Sequence, residues 1–183
     1  RMVVVANDAI LNAAGLNAWF ATASRQQIID AAAQYDRELR EIAATATPGW
    51  KDPRFSWTLE AWMPLLPSKP RVVVCLRNPA EVVASTLRYY GLAGDEAEGA
   101  AMHTWRGECE RIIEIIEAHG LDAMAIEFSS LHADPDAAVA SLARFAGRPL
   151  DASGIRRDLR HHEQPIPAEA QELYARVLAL NGG

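Results

Sequence analysis

Cysteine and lysine are scarce in this sequence, positive charge is outweighed by negative, and no apolar run is long. The two cysteines, Cys75 and Cys109, supply neither a disulfide framework nor the paired spacing of a metal site, so both read as reduced thiols with no metal involved. A membrane-spanning helix needs ~20 consecutive apolar residues, which the chain nowhere offers. It also shows no charged start, apolar core and small-residue cleavage site of a signal peptide. The expectation is a cytoplasmic protein without a membrane span. The net charge of −6 and pI near 5.4 argue against nucleic acid or an anionic membrane as the main partner. Lysine occurs only at Lys51 and Lys69. No Gly-rich loop opens a helix anywhere in the chain.

What remains is enough to build a core. With 183 residues, 50% of them hydrophobic, the chain suits a single domain over 1–183, without repeats or low-complexity tracts. The first stretch, to Gly15, reads as a helix with Asn7 and Asp8 either on an exposed polar face or touching a substrate. A long amphipathic helix is expected from Ser24 to about Thr45, with Ile28, Ile29, Tyr35, Leu39 and Ile42 as its buried stripe. Trp50 and Lys51 suit a very short strand ending at Asp52-Pro53. Phe55, Leu59, Trp62 and Leu66 then fall at helical spacing.

The most informative segment is Arg71 to Ser85. Val72 to Leu76 is an unbroken, β-branched apolar run, which predicts a central strand covered on both faces. Asn78, Pro79 and Glu81 occupy the N-cap, first and third positions of a helix, where a side-chain acceptor, a missing N–H and a carboxylate reaching back are each favoured. Free amides and the helix dipole at such a corner favour an anion, and Arg77 adds a full charge. Ser85 returns to the same helix face about 10 Å along the axis. Arg77 by a bidentate fork and Ser85 by its hydroxyl are suited to share one phosphate. The alternative is an arginine capping the sheet edge and an ordinary helical serine.

Gly94-Asp95 opens a further helix to about His119, with His103 and His119 as surface or capping residues. Leu121 to Phe128 alternates as a second strand. Asp134-Pro135 repeats the cap-plus-proline device, with that helix ending at Gly147. Arg156, Arg157, Arg160, His161 and His162 form a basic cluster, either solvated or folded over a ligand. A last helix is expected from about Ala168. Strand, helix, strand, helix indicates a parallel α/β layered domain with right-handed crossovers.

Several of these pieces together resemble the sulfotransferase family, especially its bacterial members. They are Trp50-Lys51-Asp52-Pro53-Arg54, Val72 to Pro79 with Ser85, and the succession Ile126-Glu127-Phe128, Asp134-Pro135, Phe145-Ala146-Gly147. The resemblance implies an α/β P-loop NTPase-like fold, a three-layer parallel sheet flanked by helices, helix-rich and incomplete at the N-terminus. It implies transfer of a sulfuryl group from PAPS to a hydroxyl or amine of a small-molecule or glycan acceptor, with PAPS and PAP as co-substrate and product and no metal. Arg77 and Ser85 match the pair that holds the donor's 3′-phosphate, Lys51 matches the lysine near the transferred group, Asp52 is a candidate base, and Arg156 and Arg157 are candidate donor contacts. The family's phosphate-binding loop and its strand have no counterpart, and the resemblance places them upstream of Arg1. Two other readings stand beside it: a non-catalytic binding or assembly module of the same fold, and a P-loop kinase-like phosphotransferase.

Overall fold

Helix formation begins at the first described residue. The computed structural model describes residues 2–16, 23–45, 49–155 and 164–180, and the chain divides into two compact units, Arg1–Pro70 with Gly107–Gly120, and Arg71–Arg106 with Leu121–Gly183.

In the first unit α1 (Met2–Ala13) packs on α2 (Arg25–Ala33), α3 (Asp36–Ala43) and α4 (Phe55–Trp62). Val3, Ile10, Ile28, Ala31, Ala32, Leu39 and Trp62 make its core. Ser24 caps α2 in a full capping box with Gln27, as serine followed three residues later by glutamine favours. The single long helix expected from Ser24 to Thr45 is two helices, broken at Gln34 and Tyr35, whose amides turn back to Ala31 and Ala32. The break lets both halves lay their apolar stripe on α1. Periodicity cannot register such a bend, because the stripe continues in phase on either side. The short strand expected at Trp50 and Lys51 is irregular backbone instead, since Asp52 turns the chain directly into α4 by accepting from the Arg54 amide at 3.1 Å.

The second unit holds β1 (Val72–Leu76), α5 (Pro79–Tyr90), β2 (Ala123–Glu127), α7 (Ser130–Ala133), α8 (Pro135–Ala146) and α9 (Gln171–Leu178). The helix α6 (Asp95–His119) gives its first half to this unit and its last turns to the other. β1 and β2 pair in parallel, Val72 opposite Ala123 through Leu76 opposite Glu127, and α9 packs on both strands. Helices therefore dominate around a small parallel sheet. Among the described residues no helix is long and apolar enough to cross a membrane.

The expectation that β1 is covered on both faces is corrected. Val73 is 46% exposed and Cys75 is exposed, whereas Leu76 is 2% exposed. Alternate side chains of a strand point to opposite faces, and only the Val72, Val74 and Leu76 face is turned inward. Composition signals apolarity at every position of the run. It does not say how many faces are covered.

The caps follow the sequence closely. Asn78 accepts from the Ala80 amide at 2.9 Å with Pro79 in the first turn, and Gly91 ends α5 at φ 65°. Asp134 accepts from the Ala137 amide at 3.0 Å, and Gly147 ends α8 at φ 67°. A Cβ at Gly147 would also come within 3.2 Å of Arg71 Nη1, the nitrogen that donates to the Phe145 carbonyl at 3.0 Å. Gly147→Ala is therefore expected to lower stability by about 1–2 kcal/mol, the left-handed penalty of a side chain, as read from the midpoint of urea unfolding at unchanged m-value.

Candidate functional site

The strand β1 ends at Leu76 and α5 begins at Pro79, so Arg77 stands at the corner. Its Nε donates to Glu81 Oε2 at 2.9 Å, four residues on along α5, and its guanidinium carbon lies 5.1 Å from the centre of the Phe128 ring. Both side chains of this ion pair are mostly buried, 23% and 13% exposed. The back-reaching capping bond expected of Glu81 is replaced by this pair, because a full cation nearby is a stronger partner than a backbone amide. The terminal nitrogens of Arg77 have no hydrogen-bond partner among the described residues. Ser85, half-buried on the same helix, likewise has a hydroxyl without a partner among them. Among the described residues, an arginine fork at the corner and a hydroxyl on the helix that follows thus remain available to an anion.

Beside this corner, the Tyr174 hydroxyl donates to Glu127 Oε1 at 2.7 Å. Burial, and then the Glu127 carboxylate, push that hydroxyl well above the ordinary phenol range, so it stays a protonated donor and keeps Glu127 engaged. Asn78 also ties the corner to the chain beyond the basic cluster, its amide donating to the Gln164 carbonyl. An open cleft of about 810 Å³ lies along β2 and α8, with Glu127, Ser130, Asp134, Ser141 and Arg144 in its lining. Three of these polar side chains are engaged: Glu127 accepts from Tyr174, Ser130 donates to the Glu127 carbonyl and Asp134 caps α8.

The Lys51 segment belongs to the first unit. Lys51 is exposed and forms no ion pair among the described residues. Asp52 is its opposite, with a side chain 0% exposed. Asp52 Oδ1 accepts from the Arg54 amide at 3.1 Å and from Arg54 Nη1 at 2.9 Å, while Oδ2 accepts from Asn7 Nδ2 at 3.1 Å. Asn7 in turn accepts from Thr58 Oγ1 at 2.9 Å and Trp62 Nε1 at 2.7 Å. Arg54 Nε reaches Asp8 at 2.6 Å. Asn7 is fully buried in this network and Asp8 is a partner of Arg54, so neither stands on an idle polar face. The sequence signal for Asn7 was a polar residue inside an apolar helix.

A second buried carboxylate went unnoticed in the sequence. Glu60, 8% exposed, meets Arg25 Nη2 at 2.7 Å, His119 Nε2 at 2.7 Å and Arg111 Nη2 at 3.3 Å. His119 is thus a hydrogen-bond partner of a buried carboxylate more than a surface residue. Lys69, in the loop before β1, donates to the His119 carbonyl at 2.8 Å.

On α6, burial pushes the Cys109 thiol up to about 12, helped by the Glu108 and Glu110 carboxylates, which keeps it an unreactive thiol. Burial also raises the Glu108 carboxyl from 4.5 to about 7. The folded state then holds a proton that the unfolded chain has released, so stability falls as pH rises through that interval. Glu108→Gln is expected to flatten this slope and to leave the protein more stable than wild type at pH 8, as measured by thermal unfolding across pH.

Arg156 and Arg157, with Arg160, His161 and His162, lie outside the described residues. Among the described residues no cluster of His, Cys, Asp and Glu is arranged to hold a metal.

A helix-dominated α/β protein with an arginine at a strand-to-helix corner and a serine on the same helix is the class these features define. A sequence model of the sulfotransferase family matches residues 4–152, and the chain belongs to that family. Among solved structures it resembles the "Sulfotransferase Domain from the Curacin Biosynthetic Pathway", with a TM-score of 0.52 and 16% identity over 93% of this chain and 77% of that one. That likeness is one of fold. The comparison with curated proteins gives no match.

Proposed function

We propose that the protein transfers a sulfuryl group from PAPS to a hydroxyl or amine of a small-molecule or glycan acceptor, as a cytoplasmic bacterial enzyme. The proposal includes one sulfotransferase-like domain over 1–183, with the parallel sheet between helical layers in the P-loop NTPase-like manner. Arg77 and Ser85 hold the donor's 3′-phosphate, and Arg156 and Arg157 add positive charge to the donor. The observation that carries this reading is that, among the described residues, the fork of Arg77 at the start of α5 and the hydroxyl of Ser85 on α5 have no hydrogen-bond partner.

In the transfer, the acceptor oxygen or nitrogen forms a bond to sulfur as the bond from sulfur to the bridging phosphate oxygen breaks. PAP leaves, and the acceptor proton passes to a base. Stabilising the charge that develops on the leaving phosphate and the equatorial oxygens does most of the work in such displacements. Lys51, which forms no ion pair among the described residues, supplies a compact cation for it. Asp52 is the candidate base beside Lys51 in sequence. Its full burial and its bonds to Arg54 and Asn7 favour a second role, as the residue that anchors the backbone carrying Lys51.

Incubation with PAPS and a panel of acceptors, followed by detection of the sulfated product, tests the reading. Lys51→Ala is expected to slow the transfer step about 10²- to 10³-fold with PAP affinity changed far less. Phosphoryl transfer from ATP in place of sulfuryl transfer would favour the kinase-like reading. PAP binding without transfer to any acceptor would favour the binding module.

A further inference from the structure

We propose that Glu81 is a positioning residue for Arg77, holding the guanidinium so that its forked end alone is left for an anion; this rests on the donor-phosphate reading above. A guanidinium is planar and carries five N–H donors, one on Nε and four on the terminal nitrogens. Glu81 Oε2 takes the Nε donor at 2.9 Å, and the guanidinium carbon sits over the Phe128 ring, 5.1 Å from its centre. The Nε edge is thereby engaged, and among the described residues the edge that remains is the pair of terminal nitrogens, whose parallel donors match a phosphate. An arginine free to rotate would lose several rotamers on binding, whereas one already held loses few.

Glu81 also brings a negative charge into the neighbourhood of the proposed phosphate, and this opposes its positioning effect. The two are separable by chemistry. Glu81→Gln and Glu81→Ala both remove the charge, but only glutamine keeps an oxygen that can accept from Arg77 Nε. Any difference between these two variants therefore reports the hold on Arg77 and not the repulsion.

The experiment is calorimetric titration of the full chain and its variants with PAP and with adenosine 5′-phosphate, which lacks the 3′-phosphate. Glu81→Gln is expected to bind PAP about three- to tenfold more tightly than Glu81→Ala, the range that ordering one long side chain supplies. The gap should vanish for adenosine 5′-phosphate and in an Arg77→Ala background. Equal PAP affinities for the two Glu81 variants, with Arg77→Ala still impaired, would overturn the positioning role alone. A gap that persists with adenosine 5′-phosphate would also overturn it, since it would mark a general loss of structure. PAP binding that is absent in the wild type, or unchanged by Arg77→Ala, would overturn the phosphate site itself and the inference with it.

Discussion

Arg77→Ala is expected to weaken PAP binding by about 1.5–3 kcal/mol, roughly 10- to 150-fold, the usual worth of hydrogen bonds to a charged group. The Arg77 side chain as a whole is 23% exposed, so a phosphate contact there is made in a partly buried setting, where salt screens it less than at an open surface. Arg77→Lys is not expected to restore the loss. Lysine keeps the charge but not the fork, and cannot donate both to Glu81 and in parallel to a phosphate. Adenosine 5′-phosphate provides the control, since its affinity should change little. An Arg77→Ala variant that binds PAP as the wild type does would end the case for this corner as a donor site.

The largest expected effect on stability lies in the first unit. Asn7→Ala should lower the unfolding free energy by about 3–5 kcal/mol, measured by chemical denaturation at neutral pH. Asn7 is 0% exposed, donates to Asp52, and accepts from both Thr58 and Trp62. Its removal leaves Trp62 Nε1 and Asp52 Oδ2 without those partners. Each buried orphan costs about 1–3 kcal/mol, more when charged, and a small cavity adds to it. Thr58 is protected, because its hydroxyl also donates to the Arg54 carbonyl at 3.1 Å. A loss below about 1 kcal/mol would mean that water or rearrangement satisfies the network, contrary to the rule that buried polar groups stay paired. Because Asp52 adjoins Lys51, the same variant tests whether this network also supports transfer: the rate should fall at temperatures where the protein is still folded.

Local structure was largely legible in the sequence. The caps at Asn78 and Asp134 and the glycine stop at Gly147 stand where residue type and spacing put them. The bend at Gln34 and Tyr35 was not legible, because an amphipathic stripe keeps its phase across a break. Nor was the open face of β1 at Val73 and Cys75, because apolar residues signal the capacity for burial and not its presence. The candidate site divides in the same way. Arg77 and Ser85 could be picked out by type and spacing, and Lys51 by the family resemblance. The commitment of Asp52 to Asn7 and Arg54, and of Glu60 to Arg25, Arg111 and His119, could not.

The sequence by itself determined the corner from Arg71 to Ser85: a β-branched run must extend, and an asparagine before a proline caps the helix that follows. It also determined the acidic balance and the family motifs. Only the tertiary structure decided which nitrogen faces which oxygen. Asn7 reaches Asp52 and Trp62 across 45 and 55 residues of chain, and Arg77 meets Phe128 from the far side of the sheet pairing. The physical reason is range. Caps, propensities and periodicity act over one or two turns, whereas these partners meet only when helices and strands have packed. It is that packing, with Glu81 on the Nε edge of Arg77 and the Phe128 ring beside it, that leaves the forked end of the arginine without a partner among the described residues.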